Sequence, residues 1–145
     1  MFGYFTKHDG YVYDGAHLAA ETLHNGDFVE ITAQGVKKIA AKGDAVLRVA
    51  PDGKLTAYWG KPALVLDVVS AGTKEYFMVE NEWDVTDGTE YDTSNYEVKK
   101  GELVRMRRPV IGDQVIVEVT TEILNAAEVG KTYNPNAGGS VVATG

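Results

Sequence analysis

Cysteine is absent from this chain, which excludes a disulfide framework, a Cys-built zinc site and a thiol nucleophile. Long apolar runs are missing as well: the stretch around Ala63 to Val69 is far too short to span a bilayer. A single early lysine with no apolar run behind it does not read as a secretory signal. Positive charge is scarce. Fourteen Lys and Arg against 21 Asp and Glu give a net charge of −7, which argues against a nucleic-acid binder working through counterion release. Leucine is also thin, with 8 residues against 19 Val, 5 Ile and 12 Thr. β-branched side chains lose rotamer freedom in helices and pack well on a pleated surface, so the composition predicts a mostly β protein. Sixteen glycines supply the turns that many short strands need. At 145 residues the chain suits one acidic, soluble domain with a real core.

Four segments share a glycine, then an acid, then a valine three positions after the glycine: NGDFV from Asn25, KGDAV from Lys42, KGELV from Lys100 and IGDQV from Ile111. Each reads as a turn feeding a strand, the glycine supplying positive φ and the acid accepting a backbone N–H. Their irregular spacing excludes a solenoid or propeller. Val46 to Ala50 and Leu55 to Trp59 flank Pro51-Asp52-Gly53-Lys54 and predict a hairpin. Leu64 to Val69 predicts a strand buried on both faces, and Val115 to Val119 alternates as a half-buried strand does. Helix is expected only at Ala16 to His24 and Glu122 to Glu128. The predicted architecture is all-β, a single-domain sandwich or partly closed barrel with one or two short helices. Residues 1–14 read as an aromatic-rich arm, 15–133 as the β domain and 134–145 as a flexible Gly-rich tail.

Chemistry-bearing patterns are weak. A helix over 16–24 would put His17, Glu21 and His24 on one face as zinc or iron ligands, but the spacing is not HExxH and a solvated face is the simpler reading. Glu80, Glu82, Asp84, Asp87, Glu90 and Asp92 would suit calcium, yet lack the order of an EF-hand loop. No GxSxG elbow, P-loop or GxGxxG is present, and Ser70, Ser94 and Ser140 lie far from any histidine in sequence. Neither enzyme chemistry nor a metal or cofactor is therefore expected.

Two features read as interaction surfaces. Phe2, Tyr4, Phe5, Tyr11 and Tyr13 place five of the 14 aromatics in the first 13 residues, as anchors on a docking arm would be. Arg105, Arg107 and Arg108, three of the four arginines, follow Lys99 and Lys100 and oppose the acidic stretch from Glu80 to Asp92.

A cysteine-free acidic β chain with an aromatic start, the turns at 25–29, 42–46 and 100–104 and the Gly-rich end from Gly138 resembles the head decoration (cement) proteins of tailed bacteriophages. That resemblance implies a non-enzymatic virion protein on the outer capsid surface, assembled in the host cytoplasm. It would bridge the joints between subunits of the major capsid protein, commonly as a homotrimer, with no nucleic acid or membrane partner. Competing readings are another tail or baseplate component, or a small β-barrel enzyme or ligand-binding module with a pocket built on Trp59 and Trp83.

Overall fold

The computed structural model describes residues 3–7, 13–58, 60–74, 76–80 and 97–144, and only the backbone course of 3–7 and 13–15. Its strands are β1 (Gly3–Lys7), β2 (Tyr13–Leu18), β3 (Leu23–His24), β4 (Phe28–Thr32), β5 (Gly35–Lys38), β6 (Val46–Tyr58), β7 (Lys61–Ser70), β8 (Phe77–Val79), β9 (Glu97–Val98), β10 (Leu103–Arg107), β11 (Gln114–Glu118), β12 (Thr132–Pro135) and β13 (Val141–Ala143), and among the described residues one α-helix forms, α1 (Thr121–Ala126). The fold is all-β. A six-stranded antiparallel sheet runs β1-β11-β7-β6-β12-β13, a five-stranded one runs β2-β10-β8-β4-β5, and β3 and β9 form a ribbon.

The two large sheets face each other across the main core. Leu47, Val49, Leu64, Leu66, Val68, Val115 and Val117 come from the first, and Phe28 and Met78 from the second. The five-stranded sheet then curls. Its edge strands approach where Ala19 bridges Val36 and the Ala20 N–H donates to the Val36 carbonyl at 2.9 Å. Inside the curl lies a second core of Ala19, Val29, Val36, Phe77, Val79, Val104 and Met106, closed by Leu23 and Val98 of the ribbon. Among the described residues no ladder completes the ring, so the architecture is a sandwich with one curled layer rather than a closed barrel.

Several local expectations are corrected. Pro51-Asp52-Gly53 is not a hairpin but a bulge inside β6: Val49 pairs with Leu66 and Lys54 with Leu64, so three extra residues loop out of one strand. Asp52 takes the left-handed conformation (φ 57), and Gly53 is packed so closely that a Cβ would lie 2.7 Å from the carbonyl oxygens of Ala50 and Val65. β7 buries Leu64, Leu66 and Val68 on its inner face, whereas Val65 and Asp67 stay half-buried. Among the described residues, the outer face carries a small cluster of Leu55, Tyr58, Ala63, Val65 and Ile116.

Residues 16–24 are strand and bend instead of helix. Two turns of helix are marginal without tertiary support, and here Leu18 and His17 pair with Leu103 and Val104 of β10. α1 does form where expected, with the Thr120 hydroxyl capping the Ile123 N–H at 3.2 Å and Leu124 buried. The predicted tail is the edge of the six-stranded sheet. Tyr133 and Val141 enter the core, and Asn134 donates to the Ala45 carbonyl at 2.6 Å. Likewise Gly3–Lys7, read as part of a docking arm, pairs with β11 of its own chain.

Candidate docking face

The repeated Gly-acid signal builds the frame of the site. Three of the four copies are one device, a turn whose fourth residue is the acid: His24–Asp27, Lys99–Glu102 and Val110–Asp113. In each, the glycine has φ near 90° (92°, 91° and 97°). The acid's own N–H closes the turn at 3.0–3.1 Å, and its carboxylate accepts the N–H of the first residue at 2.9, 2.6 and 3.0 Å. Positive φ at the third position is what a glycine-bearing type II turn requires. In Asp27 burial dominates and raises the carboxyl above its ordinary value, with the bond from His24 opposing it.

The fourth copy works differently. Gly43 does not take positive φ, and Asp44 reaches across to another loop, accepting the Thr73 N–H at 2.9 Å, the Thr73 hydroxyl and the Lys74 N–H at 3.3 Å. The Thr73 hydroxyl, then its N–H, hold this carboxyl down at about 2.

The turn at Lys99–Glu102 delivers β10, along which Val104 and Met106 are buried while Leu103 and Arg105 face outward. Leu103 lies directly opposite Leu18 of β2, and both are unusually exposed for large apolar residues, at 57% and 51%. Lys99 and Lys100 stand exposed in the adjoining turn, which is stitched to β2 through the Ala19 N–H to Glu102 carbonyl bond at 2.8 Å. Arg107 is half-buried, with Nε 3.4 Å from Glu80 Oε1. Arg108 follows the strand, half-buried, and its charge is felt at the buried phenol of Tyr76, whose pKa desolvation drives upward. The structure thus brings Arg105 together with Lys99, Lys100 and an apolar pair, and engages Arg107 and Arg108 closer to the body.

Of the arm residues, Tyr4 and Phe5 lie on β1, at register positions opposite Ile116 and Val115, and Tyr13 opens β2 opposite Arg107. Phe2 and Tyr11 lie outside the described residues, as do Glu82, Asp84, Asp87, Glu90 and Asp92, and Trp59 and Trp83 of the ligand-pocket reading. The helical face that would carry His17, Glu21 and His24 does not form, because residues 16–24 are strand and bend. His24 Nε2 sits 3.3 Å from Glu97 Oε1 and Nδ1 3.8 Å from Asp27 Oδ2. Among the described residues, no group of three His, Asp or Glu could hold a metal ion.

A cleft of about 350 Å³ between the 39–43 loop and Lys74 has Tyr76 in its wall, and that hydroxyl has no hydrogen-bond partner. Its other described lining residues are Glu30, Ile39, Ala40, Ala41 and Gly43. Among the described residues no helix is long and apolar enough to cross a membrane. No protein-family model, curated protein or solved structure matches the chain.

The Leu18–Leu103 pair escaped the sequence reading. Leu18 sat inside an expected helix and Leu103 looked like an ordinary strand residue. Only the register of β2 on β10 makes them neighbours.

Proposed function

We propose that the chain is a non-enzymatic virion structural protein that decorates and stabilises an icosahedral phage capsid, binding the outside of the major capsid protein and bridging its joints, as a homotrimer. The observation that carries the reading is the outward strip of β2 and β10. There, an exposed leucine pair beside Arg105, Lys99 and Lys100 stands on a rigid all-β frame. Protein contacts of this kind combine an apolar centre with a charged rim. The resemblance of the turns and composition to head decoration proteins supports the same conclusion. Reinforcement of a shell needs many modest contacts repeated over its surface, because binding to the assembled state alone stabilises it by mass action.

The experiment is co-sedimentation with purified capsid shells of the phage that encodes the chain, followed by heating the shells with and without it. Saturable binding with a raised shell disruption temperature is the expected result. Absence of binding at micromolar concentration would refute the proposal.

A further inference from the structure

We infer that the cleft between the 39–43 loop and Lys74 is a binding site for a small uncharged molecule, an apolar ring bearing a carbonyl group whose oxygen accepts a hydrogen bond from the Tyr76 hydroxyl. Its described lining residues include none from β2 or β10, so this site is independent of shell binding.

Tyr76 is the reason to expect an occupant. The residue is only 2% exposed, and its hydroxyl has no hydrogen-bond partner in the chain. A buried hydroxyl left unpaired is costly, and a phenylalanine would fill the position without that cost. The ring itself is held by packing, edge-on against Phe28 with centroids 5.8 Å apart in the main core. Packing accounts for the ring, and a ligand accounts for the oxygen. Burial outweighs the opposing charge of Arg108 and keeps the phenol protonated. The group therefore offers a donor, and a carbonyl oxygen is the matching acceptor.

The walls are built before any ligand arrives. The Ile39 N–H donates to the Phe28 carbonyl at 3.1 Å, and the Ile39 carbonyl accepts the Gly138 N–H at 3.0 Å. At the far end of the same loop the Gly43 N–H donates to the Pro135 carbonyl at 2.7 Å. Across the cleft, Lys74 Nζ donates to the Lys42 carbonyl at 2.9 Å, and Asp44 accepts the backbone N–H groups of Thr73 and Lys74. Walls fixed in this way lower the ordering cost of binding. Ala40 and Ala41, between the anchored points, are exposed and too small to fill the mouth. The volume of about 350 Å³ is roughly twice the ~150 Å³ that holds a benzene ring, which sets the occupant at about a dozen non-hydrogen atoms. Glu30 and Lys74 both line the space, so an anion meets the first and a cation the second. A neutral molecule meets neither penalty.

The test titrates the full chain with acetophenone, and with ethylbenzene, which keeps the outline and lacks the acceptor, while NMR follows its methyl and amide resonances. Acetophenone is expected to shift Ile39, Ala40 and Ala41 saturably at millimolar concentration, and to bind about tenfold more tightly than ethylbenzene. Tyr76→Phe should abolish that difference. Without a probe the same variant should melt no lower than the parent, because no partner of the hydroxyl is lost. Ala41→Trp changes an exposed residue of the mouth and should block both probes while the fold is kept, as amide spectra and a melt would show. Absence of saturable shifts with acetophenone, or equal affinity for the two probes, would overturn the site. Shifts that persist in Ala41→Trp would place the probe elsewhere and overturn it too. A clearly lower melting temperature for Tyr76→Phe would mean that the hydroxyl is already engaged in the folded chain or by a bound water, and the ligand would lose its acceptor role.

Discussion

The six-stranded sheet and the curled five-stranded sheet use the same antiparallel pairing for different ends. The first contains the two longest strands, β6 and β7, and contributes most of the main core, from Leu47 and Val49 to Val115 and Val117. The second is built of strands of three to six residues and is buried on both sides, by the main core on one and by its own curled interior on the other. Because a short strand has few ladder bonds, it holds its place through side-chain burial. Its outward positions are then free of packing duties where neither core lies. That is where Leu18 and Leu103 stand. Stability concentrates in the long-stranded sheet, and display concentrates on the short-stranded one.

The largest expected effect tests the first half of that contrast. Leu66→Ala removes a fully buried side chain from the centre of β7, and should cost about 3 kcal/mol in urea unfolding. Val104→Ala inside the curl should cost less, about 1–2 kcal/mol, because fewer methyl groups are lost. The reverse order would relocate the stabilising centre of the molecule to the curled sheet.

Next comes the bulge. Gly53→Ala drives a methyl to within contact of two carbonyl oxygens, in a strand that cannot slide without breaking register on both sides. A loss of about 1–3 kcal/mol is expected. A neutral result would mean that the bulge is loose, and that β6 behaves as two short strands rather than one long one.

How much of this was readable from the residues can be argued from the same places. β-branched composition carries fold class because side-chain packing on a pleat is a local preference summed over many residues. Three of the four Gly-acid turns were readable for a related reason, since donor, acceptor and the positive-φ residue all lie within four positions, whereas Asp44 finds its partners 29–30 residues away at Thr73 and Lys74. Pro51-Asp52-Gly53 was misread because the same left-handed turn chemistry suits a hairpin or a bulge, and the choice depends on what β7 offers opposite. Residues 16–24 were misread because their strand partners lie far away in sequence, at β10 and β9, and 134–143 because the local hairpin they form is joined to the sheet through the pairing of Thr132 and Tyr133 with β6, so local helix or turn propensity spoke first. The basic residues of the candidate face were visible as a charge cluster. The apolar anchors were not, since exposure is a property of register and not of identity.

The two acids of the repeated turn give opposite pH signatures. Asp44 is held at about 2 by Thr73 and Lys74, below its ordinary 3.8. Its contribution is therefore present above about pH 3.8 and is lost as pH falls toward 2. Asp27 is raised by burial, so the folded chain prefers it protonated. Its penalty is absent below 3.8 and grows as pH rises through the folded value. Asp44→Asn should flatten the acid limb of a stability–pH profile, and Asp27→Asn should flatten the limb above it. Identical profiles for the two variants would show that the two turns share one environment despite their different partners.

The smallest expected effect bears on display. Leu18→Ser with Leu103→Ser removes two large apolar side chains, but more than half of each is already in water. The burial lost is small, and serine has fair tolerance on a strand surface, so unfolding free energy should move by no more than about 0.5 kcal/mol per residue. That near-silence would be informative beside the Leu66→Ala loss, because the chemical change per residue is similar and only the position differs. A drop of several kcal/mol would mean that the leucines complete the fold, and the outward strip would then be part of the core's rim instead of a surface kept for a partner.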